Sequence, residues 1–156
     1  MIIPYGKGES MYQNSVELMR SMREAGIDFR SDTPVEDDNL IDTIRVGWQG
    51  SQLPPTTILF RVNDRGCRVE VESVAALGAS CRADALALVN ELNCDYRWMT
   101  FRLTDDNRVA VASDVYLVPE VAGLFGIAAM GRMFDTLDEV YPRLRGLAGR
   151  LDVDEV

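Results

Sequence analysis

The stretch SCRADALALVNELNCDYRWMTFRLTDDNRVAVASD, residues 80 to 114, decides the fold. Ala85, Leu88, Val89 and Leu92 recur at three- and four-residue spacing and mark the inward stripe of a helix. Ser80 is placed to cap it, and Asp84 lies in its first turns, where the helix dipole favours negative charge. Leu92-Asn93-Cys94-Asp95 reads as a hard turn. Beyond it the period becomes two, with Arg97, Met99, Phe101 and Leu103 on one face and Tyr96, Trp98, Thr100 and Arg102 on the other. Asp105-Asp106-Asn107 turns the chain into a further strand, Arg108 to Asp114, which offers Val109 and Val111 to the core.

Upstream, three strands with the same period precede this unit. Cys67 to Val74 alternates Cys67, Val69, Val71 and Ser73 against Arg68, Glu70 and Glu72, so one face of the sheet is wet. Asn63-Asp64-Arg65-Gly66 is a hairpin turn, with Gly66 read as supplying positive φ. Before it, Thr56 to Asn63 places Ile58, Phe60 and Val62 on one face. Leu40 to Trp48 does the same with Asp42, Ile44, Val46 and Trp48. A helix is expected from Ser10, in capping-box spacing with Gln13, to Gly26. Its stripe is Met11, Ser15, Leu18, Met19, Met22 and Ala25, and ordinary core packing accounts for the methionines. Ile27 to Arg30 leads into the loop Ser31 to Asn39, whose Glu36, Asp37 and Asp38 lack calcium-loop spacing.

Downstream, Pro119 opens a helix running toward Tyr141, where Pro142 is expected to end it; a short helix with Leu144, Leu147 and Leu151 follows. Val121, Leu124, Ala128 and Leu137 cover one side, while Phe125, Ile127, Met130, Met133 and Phe134 spread over the rest. A helix apolar nearly all round is covered on more than one side. Gly123, Gly126 and Gly131 leave room for a neighbouring backbone. The order αβββαββα, with antiparallel strands, is α+β. Residues 1 to 9 read as a flexible tail, 10 to 151 as a single domain, and 152 to 156 as a frayed end.

Composition narrows the function. The chain has 156 residues and a net charge of −9, with its cations not segregated, so nucleic acid and anionic membrane surfaces are poor partners. Lys7 is the only lysine and there is no histidine, which removes Schiff-base, P-loop and imidazole chemistry together with histidine metal ligands. Cys67, Cys81 and Cys94 form no C-x-x-C pair, and they fit reduced thiols in a cytoplasmic protein. Cys94 sits at a helix end, where the dipole disfavours a thiolate, and reads as a small turn-filling residue. No signal peptide, membrane span, metal site or cofactor is expected.

The element order, the Leu88-Val89-Asn90-Glu91-Leu92-Asn93 stretch and the charged-turn hairpin after it resemble the YbjN family, over Ser10 to Leu147. Members are described as bacterial sensory-transduction regulators, and their fold is similar to that of the small acidic chaperones of type III secretion, dimers that hold an unfolded segment of an effector. The resemblance implies a non-enzymatic, cytoplasmic bacterial regulator or chaperone-like protein, a homodimer that binds a polypeptide. It supplies no catalytic residues. The expected interface residues are Tyr96 and Trp98, Trp48 at its strand end, and Phe125, Met130 and Phe134 on the over-apolar helix. Two alternatives stand beside this reading: a small-ligand sensor with an apolar pocket, and a carboxylate hydrolase using Asp95, Asp105 and Asp114.

Overall fold

A computed structural model of the chain describes residues 2–4, 10–32 and 41–148. In chain order the elements are β1 (Ile2–Pro4), β2 (Ser10–Tyr12), α1 (Gln13–Glu24), β3 (Arg30–Asp32), β4 (Asp42–Trp48), β5 (Thr56–Val62), β6 (Gly66–Ala76), α2 (Arg82–Asp95), β7 (Thr100–Leu103), β8 (Arg108–Tyr116) and α3 (Ala122–Ala148). Short 3-10 turns, Ala79–Cys81 and Pro119–Val121, lead into α2 and α3. β1 pairs with β2, and the other strands form an antiparallel sheet in the order β3-β4-β5-β6-β8-β7. The class is α+β, as the period changes along the chain require. Three short strands, β1, β2 and β3, add to the expected order, and β1 lies within the stretch read as a tail. The acidic residues Glu36, Asp37 and Asp38, and Leu40 and Leu151, lie outside the described residues.

The chain divides into two compact units. One comprises Met1–Trp48, Thr57–Val69 and Asp114–Arg132, the other Gln49–Thr56, Glu70–Ser113 and Met133–Val156.

In the first unit α1 begins at Gln13, not at Ser10, which belongs to β2. Tyr12, extended at φ −64° and ψ 145°, precedes the helix without a side-chain cap of its own. The cap comes from β4. Asp42 Oδ2 accepts the Tyr12 N–H at 2.8 Å and the Ser15 hydroxyl at 2.6 Å, so a strand carboxylate replaces the local capping box. Asp42 is buried on the same row of β4 as Ile44 and Val46, and these donors are what makes a polar group tolerable there. Leu18, Met19 and Met22 are buried as the stripe requires, whereas Ala25 is exposed. Gly26 adopts φ +70° and ends the helix, with Ile27 N–H donating to Met22 O at 2.8 Å.

Two glycine roles differ in kind. Among the described glycines only Gly26 has positive φ, so Gly66 does not serve the turn in the expected way. A Cβ on Gly66 would run into the carbonyl oxygen of Val115, and the glycine is there to let the β8 backbone approach. In α3, a Cβ on Gly123 would collide with the Ser21 side chain, and one on Gly126 would lie 2.6 Å from Leu18 Cδ1. These positions form the notch that receives α1, while Gly131 has open space beside it.

In the second unit Ala85, Leu88, Val89 and Leu92 are the buried row of α2, and Asp84 lies in its first turn. Ser80 does not cap the helix; Cys81 precedes it, at the end of the 3-10 turn. At the other end α2 continues through Asn93, Cys94 and Asp95, with Tyr96 N–H donating to Leu92 O at 2.9 Å, so the expected turn at Leu92 is helical and the following strand starts only at Thr100. β7 and β8 pair Phe101 with Val111 and Leu103 with Val109, and Asn107 takes φ 58° in the turn between them.

Pro142 does not divide the last helix: α3 runs unbroken to Ala148. Proline removes the bond to the carbonyl four residues back, but Val140, Leu144 and Leu147 are buried around it and hold the axis. Nearby, Asp138 fixes the loop between β4 and β5. Its Oδ1 accepts the Gln52 and Leu53 N–H groups at 2.7 and 2.8 Å, and its Oδ2 the Ser51 hydroxyl at 2.8 Å.

Asp42→Ala removes the shared acceptor of Tyr12 and Ser15 and should lower stability by about 2 kcal/mol, read as a lower urea midpoint with an unchanged slope. The Leu53 N–H first, then Gln52 N–H and the Ser51 hydroxyl, hold the Asp138 carboxyl below its usual range. A carboxyl lowered by folding adds stability above its unfolded value and loses it as pH falls through the folded one. The melting temperature of Asp138→Asn should therefore fall less steeply with acidification below about pH 5 than that of the natural chain.

Candidate interaction surface

The aromatic residues after α2 are positioned by the end of that helix. Asn93 reaches the edge strand β7 with both halves of its amide: Nδ2 donates to Phe101 O at 2.9 Å, and Oδ1 accepts Phe101 N–H at 2.7 Å. A side chain thus takes the place of a neighbouring strand at the sheet edge. Residues 96 to 99 are left to cross from helix to strand. There Tyr96 packs edge-on to Trp98, with centroids 6.0 Å apart and planes at 80°, and tilts over Phe101 at 6.3 Å. Burial raises the Tyr96 phenol, and the carboxylate of Glu139 raises it further. Trp98 is 44% exposed, and its carbonyl accepts the Ser113 hydroxyl at 2.7 Å. The two rings therefore do not stand on alternate positions of a strand, as their spacing suggested; they meet edge to face in a turn.

In the first unit the largest exposed apolar side chains fall within residues 116–125. Tyr116 is 77% exposed, Val118 38%, Leu124 68% and Phe125 46%. Leu117, between the first two, is fully buried, and Ala122 and Gly126 face inward in the following helix. Solvent thus meets Leu124, Phe125 and Ala128 on the first turns of α3, before Arg132 and Asp135 take over that face. Met130 and Phe134 turn inward and are buried in the chain. Trp48 is half-buried at the end of β4. Tyr116 and Val118 escaped the sequence reading, although the alternation of β8 continues through Tyr116-Leu117-Val118 and is the signal that identifies them.

The polar groups form separate small arrangements. Asp114 lies 3.7 Å from Arg68 Nε. In the β7–β8 turn the Thr104 hydroxyl, donating at 2.5 Å, leads the groups that hold the Asp106 carboxyl below its usual range, with Arg108 beside it at 2.9 Å. Burial first, then the Asp114 carboxylate, pushes the Cys67 thiol up to about 12, so it is protonated at neutral pH. Cys81 is buried and Cys94 exposed. Among the described residues no group of three or more His, Cys, Asp and Glu could hold a metal ion, and no helix is long and apolar enough to cross a membrane.

Fold and surface together define an α+β protein whose conspicuous features are apolar and aromatic side chains presented to solvent. The chain belongs to the YbjN family: the family model, described as "Putative bacterial sensory transduction regulator", matches residues 14–144. The family is described as a regulator, not as an enzyme. Comparison with curated proteins and with solved structures gives no match.

Asn93→Ala should free the β7 edge at Phe101 and cost about 1 to 2 kcal/mol. Its fingerprint is a faster amide exchange at Phe101 and a red-shifted Trp98 emission, with the resonances of α1 unchanged.

Proposed function

We propose that the protein is a non-enzymatic regulatory or chaperone-like protein that works as a homodimer and binds a polypeptide partner. The observation that carries this reading is the run of exposed apolar side chains at Tyr116, Val118, Leu124 and Phe125. Single exposed apolar residues are ordinary, but four within ten positions, two of them aromatic, have the composition of an interface core. A symmetric dimer needs a patch that can meet its own copy, and the first turns of α3 supply one that is apolar and, at Ala128, small. The aromatic pair Tyr96 and Trp98 supplies flat side chains of the kind that grip an extended peptide. A chain without histidine, with one lysine and with its most buried thiol held protonated offers little to acid–base or nucleophilic catalysis and suits binding.

The test is the solution mass. Light scattering at micromolar concentration should give twice the 17.4 kDa of the chain. Leu124→Asp combined with Phe125→Ser should weaken the dimer by roughly 30-fold or more without lowering helix content. A monomer mass for the natural chain overturns the dimer.

A further inference from the structure

The geometry points to one face of α3 as the seam between two copies of this chain: the face bearing Leu124, Ala128 and Gly131 packs antiparallel on the same face of a second copy, with Leu124 of each protomer seated over the partner's Gly131. The inference rests on the homodimer proposed above and adds its contact face and its register.

A glycine inside a helix weakens it, so each one in α3 asks for a packing reason. Gly123 and Gly126 have theirs within the chain, since a Cβ on either would run into Ser21 or Leu18 of α1. Gly146 stands in the last turn, where helices fray and a glycine costs little. Gly131 lies well inside the helix, and among the described residues a Cβ there would meet nothing within 4 Å. The chain gives this glycine no neighbour of its own to admit, so the close approach it permits is left for another molecule. Leu124 and Ala128 precede it at spacings that a period of 3.6 residues puts on one face. Leu124 is 68% exposed and Ala128 is exposed, with Phe125 beside them and 46% exposed. One face thus carries a large apolar side chain and, two turns further on, a hollow.

Charge selects a second copy as the occupant. From Val121 to Gly131 the sequence has no Asp, Glu, Lys or Arg, in a chain of net charge −9. Two identical acidic chains repel where their charged surfaces meet, and this stretch lets them touch without opposing like charges. A basic partner would be drawn to carboxylates elsewhere. A two-fold axis between Ile127 and Ala128 sets residue 124 of one helix beside residue 131 of the other, so each projecting leucine meets a hollow and the surface is its own complement. Parallel packing would instead crowd leucine on leucine at one end and leave glycine facing glycine at the other. Ala128 beside the axis and Gly131 allow the helices to approach to about 8 Å, the short end of the usual range.

A dilution series in the analytical ultracentrifuge, run on the natural chain, Gly131→Leu and Gly146→Leu, tests the seam. Gly131→Leu should raise the dimer dissociation constant roughly tenfold or more, without lowering helix content or the melting temperature of the diluted protomer, because its side chain enters open space there. Gly146→Leu, also beside open space, should leave the constant unchanged. A natural chain that is dimeric while Gly131→Leu keeps its constant, or equal losses in the two glycine variants, would overturn the seam and leave the dimer standing; a monomeric natural chain overturns both. The register is read from a spin label at Glu120→Cys, an exposed position, in a chain carrying Cys94→Ser. Antiparallel packing holds the two labels about 25 Å apart or more, and a separation of about 15 Å or less would overturn that register.

Discussion

A buried carboxylate on β4 holds the beginning of α1. Asp42 sits on the row of β4 that faces the core, where a lone charge would be costly, and it is tolerated because Tyr12 and Ser15 bring donors to it. The same turn of α1 carries Asn14, whose amide reaches the carbonyls of Asn63 and Leu117. Three polar side chains thus fasten one helix end to the start of β4, the β5–β6 turn and the segment after β8. The Leu18, Met19 and Met22 stripe then follows as a consequence, since a helix anchored at its first turn can bury only one face. The glycine notch at Gly123 and Gly126 completes the fit by admitting Leu18 and Ser21.

The second unit repeats the principle. Asn93 at the end of α2 bonds both backbone groups of Phe101, and Asp138 in α3 gathers the loop that follows β4. In each case a side chain on a helix supplies the hydrogen bonds that an irregular or edge segment lacks. Irregular backbone is thereby satisfied without further strands, and the apolar residues of those segments can remain outside. This is how Tyr96 and Trp98 come to pack edge to face beside the edge strand, and it is compatible with a protein that works through its surface.

The membership in a family of sensory-transduction regulators agrees with that picture. A regulator needs recognition surfaces more than a reactive centre. On the segment from Tyr116 to Phe125 the side chains offered to solvent, Tyr116, Val118, Leu124 and Phe125, are apolar or aromatic.

The order of elements, the class and most of the core were legible in the sequence, because burial imposes a period of two on strands such as β5 and of 3.6 on helices such as α2, and a period is a local property. So was the end of α1 at Gly26, where only the local backbone decides. Tertiary structure decided the rest. The start of α1 moved because its cap comes from Asp42, 30 residues away. α2 continued past Leu92, ending beside the edge strand to which Asn93 bonds, and α3 ran through Pro142 because its far side is buried. Gly66 proved to serve an approach by Val115 and not a dihedral angle. For the same reason the exposed Leu124 and the buried Met130 and Phe134 could not be told apart beforehand: all are apolar on one helix, and which of them meets solvent depends on where α1 and the sheet lie.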